Sequence, residues 1–174
     1  MKLPIAAALL SIAMLPFAGG AQAHHLSSKE DVEVKVDKNK SAEELKALWD
    51  QFGGWCAIAD WHPAVKTCEE IKEGDDVFRT LTLQDGGVIK EKLIEKGDST
   101  YTYAITESPL PVKNYQAQFS IVPDNDAADE VKILWTAKYD AADGKKDDDA
   151  TDTIDGIFKD GLKSIKEKLG KKAD

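Results

Sequence analysis

Two side chains of opposite charge stand where an alternating sequence wants apolar ones. Arg79 interrupts the series Val77, Leu81, Leu83, and Glu91 interrupts Ile89, Leu93. Residues two apart in a strand share a face, so each charge sits among apolar neighbours. Burying a charge is expensive unless it is paired and hydrogen-bonded. A three-residue loop at Asp85, Gly86 and Gly87 sets Leu83 opposite Ile89 and Leu81 opposite Glu91, which leaves Arg79 and Glu91 diagonal and within pairing reach. The phenols of Tyr101, Tyr103 and Tyr115 share that face on later strands and can extend the network. Phe119, Trp135 and, on the last helix, Phe158 complete a candidate ligand-binding lining. Two readings stand side by side. One is a recognition cluster inside a cavity, where Arg79 could polarise a carbonyl and Glu91 move a proton; the other is a satisfied ion pair near a sheet's rim.

The segment Trp55–Pro63 holds two tryptophans, a histidine and a proline, an unusual apolar load for a connection. Trp55 is expected to pack on the preceding helix, and Trp61 and His62 to form a pocket mouth or a partner surface. His62 joins Glu91 as a catalytic candidate, although no nucleophile is visible beside it. Cys56 and Cys68 are not spaced as Cys-x-x-Cys and no further cysteine could complete a thiolate site, so they read as a structural disulfide contributing roughly 3 kcal/mol. His24 and His25 are donors that suit Cu(II), but His62 is the only other histidine, and no metal or cofactor is expected. Nucleotide-binding glycine loops, nucleophile elbows and zinc-protease motifs are absent from the sequence.

The elements that must position these residues are legible from periodicity. Val32, Val34 and Val36 alternate as a strand over 31–37. A helix follows, with Ser41 as cap, Glu44 completing a capping box and Gly53-Gly54 ending it. Strands are expected at about 65–72, 77–84, 88–95, 99–107, 115–122 and 130–139, and their short turns predict an antiparallel meander. A final helix over about 149–169 carries Ile154, Ile157, Phe158, Leu162, Ile165 and Leu169 as one stripe, with Gly170 beyond its end. Gly156 and Gly161 interrupt it, through space beneath the helix or a close backbone approach.

Residues 1–23 read as a cleavable signal peptide: Lys2, an apolar run to Phe17, and small residues at Ala21 and Ala23. Residues 24–174 then form one exported domain with no membrane span. Loss of Lys2 takes the net charge from −9 to −10, a poor match for nucleic acid.

The stretches Trp61-His62-Pro63-Ala64-Val65, Arg79-Thr80-Leu81-Thr82-Leu83, Asp85-Gly86-Gly87, Tyr101-Thr102-Tyr103, Glu107-Ser108-Pro109-Leu110-Pro111-Val112 and Asn114-Tyr115 resemble bacterial SRPBCC proteins, the polyketide cyclase-like branch of the START and Bet v 1 superfamily. The resemblance implies an α+β helix-grip fold, an antiparallel sheet wrapped around a long C-terminal helix with an internal cavity. Exported members of the MxaD type are similar in character. That implies a periplasmic, non-enzymatic protein that binds a small apolar or aromatic ligand, or assists a redox protein such as methanol dehydrogenase or its cytochrome. The alternative implied is a cyclase or dehydratase acting on an aromatic or polyketide-like substrate.

Overall fold

A computed structural model describes residues 26–171, and the signal-peptide reading of 1–23 lies outside them. The chain runs β1 (Leu26–Lys35), α1 (Ser41–Phe52), α2 (Ile58–Trp61), β2 (Val65–Glu73), β3 (Asp76–Leu83), β4 (Val88–Lys96), β5 (Thr100–Glu107), β6 (Val112–Pro123), β7 (Glu130–Ala141) and α3 (Asp147–Gly170). The strands form one antiparallel sheet in the order β1-β7-β6-β5-β4-β3-β2. From β2 to β7 it is the meander that short turns require; β1 joins the far edge beside β7. The α3 helix lies on the inner face, chiefly against β1 and β7, which gives the helix-grip architecture.

Alternation builds the core. Val131, Ile133, Trp135, Ala137 and Tyr139 of β7 are all buried, as are Ala117, Phe119 and Ile121 of β6. From above, Ile154, Phe158, Leu162 and Ile165 of α3 close over them. Three aspartates in the first turn of α3, Asp147, Asp148 and Asp149, match the positive end of its dipole. Among the described residues no helix is long and apolar enough to cross a membrane.

The structure corrects several local expectations. Helix α1 is preceded by Lys40 rather than capped by Ser41, and no side chain caps it. The Glu44 carboxylate instead accepts from the Asp37 N–H at 3.0 Å, because Asp37 turns the chain out of β1 and brings its own amide within reach. The β3–β4 register also differs by two residues. Gly86 adopts φ 89° and the Leu83 N–H bonds to the Gly87 carbonyl, so Leu81 faces Ile89 and Arg79 directly faces Glu91. A slip of two keeps every side chain on its face; a slip of one would have turned them all outward. Helix α3 begins at Asp147 and includes Gly170, with Lys171 following it.

Candidate functional site

The charged pair lies under the inner face. Arg79 Nε donates to Glu91 Oε2 at 2.5 Å, and Arg79 Nη1 donates to the Trp55 carbonyl at 2.5 Å. The guanidinium also stacks 4.0 Å from the centre of the Trp55 ring. Trp55 therefore covers Arg79, where packing on α1 was expected, and it meets Tyr101 edge-on at 5.2 Å. Burial opposes the charge on Arg79, but the Glu91 carboxylate and the nearby phenols outweigh it and hold the guanidinium protonated. Burial raises the Glu91 carboxyl above its ordinary range, and Arg79 pulls it back. Burial likewise raises the phenols of Tyr101, Tyr103 and Tyr115.

Beside this pair the sheet and α3 leave a cavity of about 270 Å³. The sheet contributes Leu81, Leu83, Ile89, Glu91, Tyr103 and Ile105, with Tyr115 and Trp135 further along. Thr153, Ile154 and Ile157 form the wall on α3, and Leu110 reaches in from the β5–β6 connection. The remaining wall is the strap between α1 and β2, through Ile58, His62 and Ala64, together with Val65 at the start of β2. The Cys56–Cys68 disulfide, with Cα atoms 5.4 Å apart, ties that strap to β2.

His62 pins the strap to α3. Its Nδ1 accepts the Ala64 N–H at 3.1 Å, which makes Nε2 the protonated nitrogen, and Nε2–H donates to the Ile157 carbonyl at 3.0 Å. The contact needs Gly161, because a Cβ there would lie 2.7 Å from His62 Cδ2 and 3.0 Å from ring atoms of Trp61 and Trp135. Gly161 thus marks a close approach, while Gly156 has nothing within 4 Å of a Cβ position. Burial lowers the His62 pKa below its ordinary value, and the bond to Ile157 only partly offsets this. With both nitrogens committed, the ring holds structure and is poorly placed to accept a substrate proton.

Of the residues singled out from sequence, His62, Glu91, Tyr103, Tyr115 and Trp135 line the cavity. Trp61, Arg79, Tyr101, Phe119 and Phe158 are buried outside it. Trp61 is core rather than pocket mouth: it stacks on Phe119 at 5.6 Å, and its Nε1 donates to the Phe52 carbonyl. Phe158 stacks on Trp135 at 4.3 Å and so backs the wall. Trp135 Nε1 in turn donates to the Tyr103 hydroxyl at 2.9 Å. Sequence reasoning did not name the aliphatic lining from Leu81, Leu83, Ile89, Ile105, Ile154 and Ile157, nor Ile58, Ala64, Val65, Leu110 and Thr153. Thr153 had a signal, a polar residue four before Ile157 and therefore on the same side of α3. His24 and His25 lie outside the described residues. Elsewhere, Glu33, Asp124 and Glu130 bring carboxylates within 4.8 Å of one another, but Lys132 pairs with Glu33 and Asp124, and Lys35 with Glu130.

A helix gripped by an antiparallel sheet over an apolar cavity defines the class: a helix-grip protein of SRPBCC type. More particularly, the chain belongs to the family described as polyketide cyclase / dehydrase and lipid transport, whose model matches residues 30–170. Solved structures share the fold. An uncharacterised protein from Bacillus thuringiensis is 25% identical with TM-score 0.67, covering 80% of this chain and 96% of its own. The protein XoxI from Bacillus cereus is 24% identical with TM-score 0.68, over 81% and 93%. The Zhui aromatase/cyclase from a Streptomyces species is 11% identical with TM-score 0.62, over 86% and 96%. A comparison with curated proteins gave no significant match.

Proposed function

We propose that this protein is an exported, non-enzymatic member of its family that holds a small apolar or aromatic molecule in the cavity beneath α3. The observation that carries the reading is the cavity wall, which is almost wholly aliphatic and aromatic. Moving apolar surface from water into such a space is favourable by about 25 cal/mol per Å². Proton-transfer chemistry has less support. His62 has both ring nitrogens committed, Glu91 is held by Arg79, and among the described residues no serine, cysteine or lysine lines the cavity. The disulfide supports work outside the cytoplasm, since such bridges persist in oxidising compartments.

Native mass spectrometry of the protein purified from its own host, set against its denatured mass, tests this directly. A co-purifying small apolar molecule is expected. A protein that arrives without one and takes up no apolar probe rejects the reading. Assistance to a methanol dehydrogenase or its cytochrome is the narrower form of the proposal, supported by the family resemblance and the acidic charge. Adding the protein should then raise electron flow between the two, most strongly at low ionic strength, and no effect at any salt concentration removes that form. One observation favours a cyclase or dehydratase instead, the Glu91 carboxylate at the cavity wall; turnover retained in Glu91→Gln would exclude Glu91 as its acid or base.

A further inference from the structure

The same cavity, if it binds a ligand as proposed, also constrains which ligand. Among the described residues Glu91 is its one acidic lining residue, and it is 4 % exposed. Oε2 is taken by Arg79, and among the described residues no protein group donates to Oε1. An ionised carboxylate offers about four lone-pair sites, so most of its accepting capacity is unused. Arg79 is fully buried behind the wall, with Nε directed to Glu91 Oε2, Nη1 to the Trp55 carbonyl and Nη2 without a hydrogen-bond partner among the described residues, so it donates nothing to Oε1. Of the other donors at the wall, His62 Nε2–H is used on Ile157 and Trp135 Nε1–H on Tyr103, while the hydroxyls of Tyr103 and Tyr115 also line the cavity. The cavity therefore presents a fixed acceptor in an apolar setting, where an unmet hydrogen bond is costly and a met one discriminates strongly.

The geometry points to Glu91 as the specificity-determining residue, selecting a small, mainly apolar molecule that carries a hydroxyl or N–H donor and docks it on Oε1. Arg79 is a positioning residue that fixes the carboxylate and favours its charged form against the effect of burial. Anionic ligands meet like charge, and ligands with acceptors alone leave Glu91 unmet. A cavity of about 150 Å³ takes benzene, so 270 Å³ suits a body of about two fused rings.

The test uses the full-length processed protein and two near-isosteres, 2-naphthol and 2-methylnaphthalene, titrated at neutral pH by naphthyl fluorescence. Wild type should bind the naphthol at least about tenfold more tightly, the scale of a hydrogen bond to a charged acceptor. Glu91→Gln should narrow the ratio to within about threefold while still binding the hydrocarbon. That variant leaves Arg79 without a counter-charge, so Arg79→Met/Glu91→Leu, which replaces the whole pair by apolar side chains, is measured beside it and should show no preference for the naphthol. Equal binding of the two compounds by wild type overturns the inference and leaves the apolar-binding proposal standing. A preference that survives in the double variant overturns the assignment to Glu91. Failure of wild type to bind either compound overturns the binding proposal itself, and this inference with it.

Discussion

Replacing each of two glycines in α3 by alanine should move stability in opposite directions. Alanine is favoured over glycine in a helix interior by about 1 kcal/mol. At Gly156 nothing lies within 4 Å of the new methyl, so Gly156→Ala should gain roughly that amount. At Gly161 the methyl would stand 2.7 Å from His62 Cδ2 and 3.0 Å from Trp61 and Trp135. None of these rings can retreat easily. His62 is bonded at both nitrogens, Trp61 is bonded to the Phe52 carbonyl, and Trp135 is bonded to Tyr103 and stacked on Phe158. Overpacking of this kind costs about 1–3 kcal/mol, and loss of the His62–Ile157 bond about 1 kcal/mol more. Set against the gain in propensity, Gly161→Ala should lose roughly 1–3 kcal/mol. Urea unfolding at fixed pH reads both variants, and thermal unfolding should separate them by several degrees, at about 2–4 °C per kcal/mol for a chain of this size. Adding His62→Ala to Gly161→Ala should recover part of the loss, a non-additivity that reports direct contact. Equal stabilisation by the two alanines would refute the close approach at Gly161 and the account of His62 built on it.

Breaking the buried pair with Arg79→Met alone should cost about 3–5 kcal/mol, whereas Arg79→Met/Glu91→Leu should fall close to wild type; denaturant midpoints of the three proteins check this. Removing the disulfide with Cys56→Ala/Cys68→Ala should cost about 3 kcal/mol and lower the melting temperature by about 6–12 °C in a thermal scan. The pH dependence of His62 has a definite sign. Burial holds its folded pKa below the ordinary value of 6.5, so the unfolded chain takes up the proton first as pH falls. Its contribution is whole above about pH 6.5 and declines on acidification until the folded ring itself protonates. Wild type should lose more stability than His62→Gln between about pH 7.5 and 5.5, and parallel curves from urea titrations would contradict the assignment.

What the sequence by itself determined is local and two-faced. Alternation set which residues of each strand point inward, from Arg79 and Leu81 on β3 to Trp135 and Tyr139 on β7, because the strand repeat of two is a property of the backbone. The last helix and its stripe followed from the 3.6-residue repeat in the same way, and the two cysteines were few enough to read as a pair. Parity also protected the Arg79–Glu91 pairing, since the register misjudged by two residues still left both charges on one face. The tertiary structure alone decided which inward side chains meet space and which meet each other. Tyr101, Phe119 and Trp61 share faces or segments with true lining residues, yet they are packed solid: Trp49 of α1 and Trp55 and Trp61 of the strap close over Tyr101 and Phe119. Coverage depends on where distant elements land, and periodicity carries no record of it. The same holds for Trp55 lying over Arg79, for β1 beside β7, and for Gly161, whose missing side chain has meaning only once His62, 99 positions earlier, is brought against it.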